Sequence, residues 1–222
     1  MSIGATVAFA SLAGGAHAVI LYDQMTNPGT TILTSSWVPP NGTDSDTYAW
    51  DNFLLPTEST VREVWWIGGG SPVSGFTIRF YTGLAAAPDL QPTITALPEE
   101  ETPADYLKGY RFNDNANETP IAGTGLNQYH VVLPTTLTLP GNTVFWVKIE
   151  GDTVGFPTWG VARATHGRDE HYFRYITGAH MFFNGTGSEA FQLRGDAVPE
   201  PATLSVLLVG GLAALSRRRR GL

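Results

Sequence analysis

Within six residues, His166-Gly167-Arg168-Asp169-Glu170-His171 gathers two imidazoles, a guanidinium and two carboxylates. Such a cluster has the groups to move protons or hold a metal, but its spacing fits no ligand pattern, and a solvated loop accounts for it. Glycoside hydrolysis needs two carboxyl groups facing one another across a cleft. Asp51, Glu58, Glu63 and Glu150 are available, and nothing in the sequence selects a pair. The chain has no cysteine, so a thiol nucleophile and a thiolate metal site are excluded. It also lacks a G-x-S-x-G elbow, an H-E-x-x-H helix, a P-loop and a dinucleotide glycine pattern. No catalytic residue is assigned, and the expectation is a protein that is not an enzyme.

Two loops are rich in oxygen donors of the kind calcium takes: Asn113, Asp114, Asn115 and Asn117, and the stretch Thr43-Asp44-Ser45-Asp46. Neither has EF-hand order, and Asn and Asp also favour turns for their own backbone hydrogen bonds. The cofactor expectation is therefore none beyond a structural calcium at the first loop. Aromatic residues are the other lead, since sugar-binding sandwiches stack flat rings on the apolar faces of sugars. Trp65 and Trp66 are adjacent, so in a strand they point to opposite faces. One of the two should pack in the core and the other should reach the outer face or a covered groove as a carbohydrate-facing candidate. Trp37, ahead of Val38-Pro39-Pro40, is the second candidate, while Trp50 and Trp159 are assigned to the core.

The elements that must position these residues read as all-β. Short runs rich in aromatic and β-branched residues alternate with Gly, Pro and Asn clusters, the pattern of a sandwich or barrel. Strands are expected at 19–24, 48–55, 61–67, 76–81, 106–112, 129–133, 143–150, 159–164, 171–176 and 190–194. Phe76, Ile78 and Phe80 should face the core, with Thr77 and Arg79 facing water. Val144, Trp146 and Lys148 should share one face of their strand. Gly68-Gly69-Gly70-Ser71-Pro72 and Leu139-Pro140-Gly141-Asn142 read as turns. The stretch 84–105, punctuated by Pro88, Pro92, Pro98 and Pro103, reads as a long connection that wraps a sandwich edge.

The two ends differ from the body. Residues 1–18 are apolar, rich in small residues, and finish Ala16-His17-Ala18, the A-x-A pattern of a secretory signal cut by signal peptidase, although no basic residue precedes the apolar run. Residues 198–222 run from Val198-Pro199-Glu200-Pro201 through a 15-residue apolar stretch to Arg217, Arg218, Arg219 and Arg220. As a helix that stretch rises roughly 22 Å against a bilayer core of ~30 Å, a short span that snorkelling arginines extend. The arginines act as a cytoplasmic stop-transfer cluster. The body between, residues 19–197, is large enough for one domain with a full core. It keeps nine basic and nineteen acidic residues, a net charge of -10, which repels nucleic acid and anionic polymers.

The C-terminal segment resembles the PEP-CTERM sorting signal of Gram-negative bacteria: the Val198–Pro201 motif, an apolar span and a basic tail, in that order. The resemblance implies recognition by an exosortase, cleavage near Pro199-Glu200-Pro201, transient anchoring in the inner membrane, and delivery to the cell surface or extracellular matrix. The body also resembles a group of PEP-CTERM surface proteins. The matches are Asp51-Asn52-Phe53-Leu54-Leu55-Pro56; Val61, Val64, Trp66, Gly68 and Gly69; Phe76 through Tyr81; Phe145 through Ile149 with Trp159; and Glu189 through Gly195. Where the group has a second tryptophan, Val161 stands here. That resemblance implies a jelly-roll-like antiparallel β-sandwich, makes Trp66 the core candidate and so leaves Trp65 as the exposed, carbohydrate-facing one, and brings no catalytic residues. The functional expectation is an exported surface or matrix protein associated with exopolysaccharide, with weak carbohydrate binding. The alternatives are a self-associating coat or adhesion protein and a glycan-acting enzyme.

Overall fold

The computed structural model describes residues 18–198 apart from 26–27, 39–45, 99, 114–115, 154–157 and 176–181. These residues form sixteen strands. They are β1 (Val19–Asp23), β2 (Ile32–Thr34), β3 (Ser36–Trp37), β4 (Thr47–Leu54), β5 (Ser59–Gly70), β6 (Val73–Leu84), β7 (Ala87–Pro92) and β8 (Lys108–Phe112). The chain continues with β9 (Asn117–Ile121), β10 (Leu126–Leu139), β11 (Val144–Thr153), β12 (Trp159–Ala164), β13 (Glu170–Tyr175), β14 (Phe182–Thr186), β15 (Ser188–Glu189) and β16 (Phe191–Ala197). The fold is all-β, as expected. No described helix is long and apolar enough to cross a membrane.

The strands make two eight-stranded sheets. The first runs β1-β16-β5-β10-β9, with β12 pairing the end of β5 and joining β2 and β15, and it curls toward a barrel. The second runs β14-β13-β4-β3-β11-β6-β7, with β8 also on β6. Pairing is antiparallel with one exception: β3 lies parallel to β11, placing Ser36 beside Gly151 and Trp37 beside Asp152. The second sheet is therefore mixed rather than purely antiparallel.

Alternation builds the main core. Phe76, Ile78 and Phe80 of β6, Phe145, Val147 and Ile149 of β11, and Phe53 of β4 meet Val61, Val64 and Trp66 of β5, Tyr129 and Val131 of β10, and Phe191 and Leu193 of β16. Trp159 also belongs to this core, as expected. Gly68 and Gly69 lie within β5 rather than in a turn, and the Trp159 indole accounts for the first of them. A Cβ on Gly68 would stand 2.4 Å from Trp159 Cζ2 and 2.7 Å from the Gly160 carbonyl. Glycine in a strand here marks close approach by another group.

The other face of the second sheet differs from expectation. Much of it does not meet water, although Arg79 stays partly exposed. Tyr48 and Trp50 of β4, Tyr81 of β6 and Trp146 of β11 form a second buried cluster. The proline-rich connection covers them. Trp146 Nε1 donates to the Pro88 carbonyl at 2.9 Å, and Asn52 Nδ2 donates to the Asp89 carbonyl at 2.8 Å. Trp50 is also fully buried, but in this second cluster, against Tyr81, Tyr172 and Phe182, rather than in the main core. The strap lies across a face instead of wrapping an edge. Each indole it shields removes roughly 150–250 Å² from water, on the order of 4 kcal/mol.

Candidate functional site

Local alternation places Thr77 and Arg79 of β6, and Lys148, Glu150 and Asp152 of β11, on the strap-covered face. In the β6–β11 ladder Lys148 stands opposite Arg79 and Glu150 opposite Thr77. β8 then sets Arg111 opposite Thr77. The parallel β3 pairing brings Trp37 alongside Asp152. Of these, Thr77, Arg79, Glu150, Arg111 and Trp37, with Tyr48 at the base and Pro98 of the strap, line a cleft of about 300 Å³, with Lys148 and Asp152 beside it.

The floor of this cleft is an ion network. Lys148 is fully buried; its Nζ lies 2.9 Å from Glu101 Oε2 and 3.4 Å from Glu150 Oε2. Arg79 Nη1 reaches the same Glu101 oxygen at 2.8 Å, and the Tyr81 hydroxyl donates to Glu101 Oε1 at 2.9 Å. Glu101, contributed by the strap, is thus held by two cations and a phenol. The Lys148 ammonium also sits 4.7 Å from the centre of the Tyr48 ring and 5.4 Å from that of Trp50, close enough for cation–π attraction. On the rim, Arg111 Nη2 pairs with Asp152 Oδ2 at 2.6 Å, and its Nη1 donates to Thr77 Oγ1 at 3.1 Å. The Tyr48 hydroxyl donates to Asp46 Oδ2 at 2.8 Å, which fixes the ring at the base. Burial raises the Glu150 and Asp152 carboxyls above their ordinary values; Lys148 and Arg79 oppose the first shift and Arg111 the second.

A second polar cluster lies between the sheets. Asp51 shares the inward face of β4 with Phe53 and is fully buried. Its Oδ2 accepts from Gln24 Nε2 at 2.8 Å and from the Glu189 amide at 2.6 Å, and its Oδ1 accepts from the Asn52 amide at 2.7 Å. The Glu189 side chain is also fully buried, and neither of its carboxyl oxygens has a hydrogen-bond partner. Burial pushes Asp51 up to about 7, against the pull of its hydrogen bonds. Burial, and then the Asp51 charge, push Glu189 well above the carboxylate range. Both carboxyls are thus held above the ordinary carboxylate range, and neither lines the cleft described above.

The residues singled out from sequence separate in space. Trp65 points away from the core, as expected, but its ring is occupied. His130 of β10 stacks on it at 4.1 Å and 11°, and the Arg194 guanidinium of β16 lies 4.0 Å from the ring centre. Its Nε1 donates to Glu63 at 2.9 Å. Both strands flanking β5 thus supply a group to the indole, leaving no open face for a sugar. Trp37 is half-buried and lines the cleft. Of the loop at 166–171, His166 is exposed, but His171 lies in β13, buried, with Nδ1 2.8 Å from the Gly187 carbonyl. Arg168 pairs with Asp89 of the strap. A solvated loop therefore describes only part of this stretch. Asn113 is exposed, and Asn117 Nδ2 donates to His130 Nε2 at 3.1 Å; Asp114 and Asn115 lie outside the described residues. Among the described residues no group of three or more His, Asp or Glu side chains is arranged to hold a metal. Ala16, Pro199, Glu200, Pro201 and the four arginines also lie outside them, while Ala18 and Val198 bound the described body.

Sequence reasoning missed Glu101, Arg111 and Glu189 as site residues. The signal for the cleft was a lysine sharing a strand face with two apolar residues, Val144 and Trp146. A cation in that place needs a buried acid, and Glu101 arrives from 47 residues away. No known family, curated protein or solved structure matches the chain.

Proposed function

We propose that this protein is an exported saccharide-binding β-sandwich that associates with exopolysaccharide at the cell surface or in the extracellular matrix. The observation that carries the binding half is the cleft of about 300 Å³ on the second sheet, where Trp37 and Tyr48 stand beside fixed charged hydrogen-bonding groups. Small-ligand sites combine such apolar walls with a few placed polar groups. The export half rests on the two ends of the sequence. Residues 1–18 serve as a cleaved signal, and residues 198–222 as a PEP-CTERM segment with a short transmembrane helix, processed by an exosortase. The jelly-roll strand order belongs to the same reading.

Binding is favoured over catalysis because each acid at the cleft already faces a cation: Glu150 faces Lys148, and Asp152 faces Arg111. The self-associating coat is supported by Ile20 and Val132, exposed on the first sheet at 56% and 64%. Register places Arg194 and Glu63 between them, so a charged pair interrupts that apolar row. The test is co-sedimentation of the full chain, in a sugar-free detergent, with the host's exopolysaccharide. Retention that Trp37→Ala abolishes supports the reading, and absence of retention overturns it.

A further inference from the structure

We propose that the cleft takes the end of a neutral saccharide with adjacent hydroxyl groups and rejects uronates and other anionic sugars; this rests on the saccharide reading above. The charge inventory at the cleft decides it. Three cations, Arg79, Arg111 and Lys148, stand with four carboxylates: Glu101, Glu150, Asp152 and Asp46, the last behind Tyr48. Every cation is already engaged. Arg111 closes on both oxygens of Asp152, at 2.6 and 3.3 Å. Arg79 and Lys148 share Glu101 Oε2, at 2.8 and 2.9 Å.

An incoming carboxylate adds a further negative charge to a site whose four acids already outnumber its three cations, and it is fully paired only by drawing a cation away from its own acid, the costly way to break a buried pair. The net charge of -10 on the body between the two ends adds repulsion at longer range. A hydroxyl pair meets no such penalty. A guanidinium carries five N–H donors, so Arg79 and Arg111 keep donors beyond those spent on their carboxylate partners. Glu150, side by side with them in the cleft wall, accepts from a hydroxyl. One hydroxyl donates to the carboxylate, its neighbour accepts from the guanidinium, and both contacts are charge-assisted. The half-buried Trp37 offers the apolar wall for the ring face. A volume of about 300 Å³ lies at the small end of ligand pockets and suits one or two sugar rings rather than a long chain.

The test is titration of the full chain, in a sugar-free detergent, with size-matched fragments of dextran and galactomannan on one side and alginate and hyaluronan on the other. Each series is run at low and high salt. Neutral fragments should bind at least about ten-fold more tightly than uronate fragments. Their affinity should change less than about two-fold between the two salt conditions, because little charge is exchanged on binding. Uronate fragments binding as tightly as neutral ones would overturn the neutral-ligand inference and leave the cleft reading standing. No binding of either class would overturn both. Neutral binding that survives Trp37→Ala would place the site elsewhere and also overturn the inference.

Discussion

Glu189 and Asp51 show how much one side chain depends on its surroundings. Both are fully buried, and folding holds protons on both through a range where the unfolded chain has released them. Their folded values are raised, so the stability they contribute is complete below the ordinary carboxylate range. It is lost as the pH rises through about 7 for Asp51, and further for Glu189. His171 works the other way: burial lowers its value, so folding gains from rising pH across the ordinary imidazole range. Arg168 also acts on Asp51, pulling its value down, and the Asp51 charge adds to the burial that holds the Tyr22 phenol neutral. We expect the urea midpoint to fall from about pH 7 to about pH 8.5, above the His171 range. In Glu189→Gln that fall should shrink. Equal slopes in the two proteins would remove the carboxyl pair as the cause. Asp51→Asn should instead destabilise at every pH, since the acceptor of three N–H groups becomes an amide with half the acceptor capacity. The sequence does not show which face of its strand Asp51 takes, since assigning the neighbouring Trp50 to the core turns Asp51 outward. Nor does it show that Glu189 meets Asp51, because the two are 138 residues apart.

At the scale of elements, the strap over the second sheet decides what the cleft is. Among the described residues, Glu101 is the strap carboxylate that engages the buried Lys148 and the partly exposed Arg79. Glu101→Gln should cost about 3 kcal/mol, the usual consequence of leaving buried charge uncompensated. It should also expose the strap to protease and shift the emission of Trp50 and Trp146 to the red, as limited proteolysis and fluorescence would register. A variant as stable and as resistant as the parent would show that the anchor contributes little. Gly68→Ala should cost about 1–3 kcal/mol by overpacking the Trp159 ring, measurable as a lower Tm. Strands with clear alternation were legible: β12 lies at 159–164 as expected, and Phe76, Ile78 and Phe80 are core. β7, with Pro88 and Pro92, and β9, with Pro120, read as connections because proline and turn formers argue against a strand. Both lie at sheet edges, where a missing N–H costs little. The covered face was not legible. Alternation says which residues leave the core, not whether a distant segment comes to lie over them.

Across the whole molecule, the sequence ends bear on compartment and the cleft bears on chemistry. If an exosortase processes the chain, mass spectrometry of the protein from its host should find an N-terminus near Val19 and a C-terminus close to Pro199-Glu200-Pro201. A surface protein that retains Arg217 through Arg220 would contradict that processing. The central claim is that saccharide binding belongs to the Trp37 cleft and not to Trp65, whose ring His130 and Arg194 already cover. The most direct measurement is affinity electrophoresis of the full chain through gels with and without the host's exopolysaccharide, alongside Trp37→Ala and Trp65→Ala. We expect the parent and Trp65→Ala to be retarded and Trp37→Ala to migrate freely. Free migration of the parent, or retardation lost in Trp65→Ala and kept in Trp37→Ala, would contradict the claim.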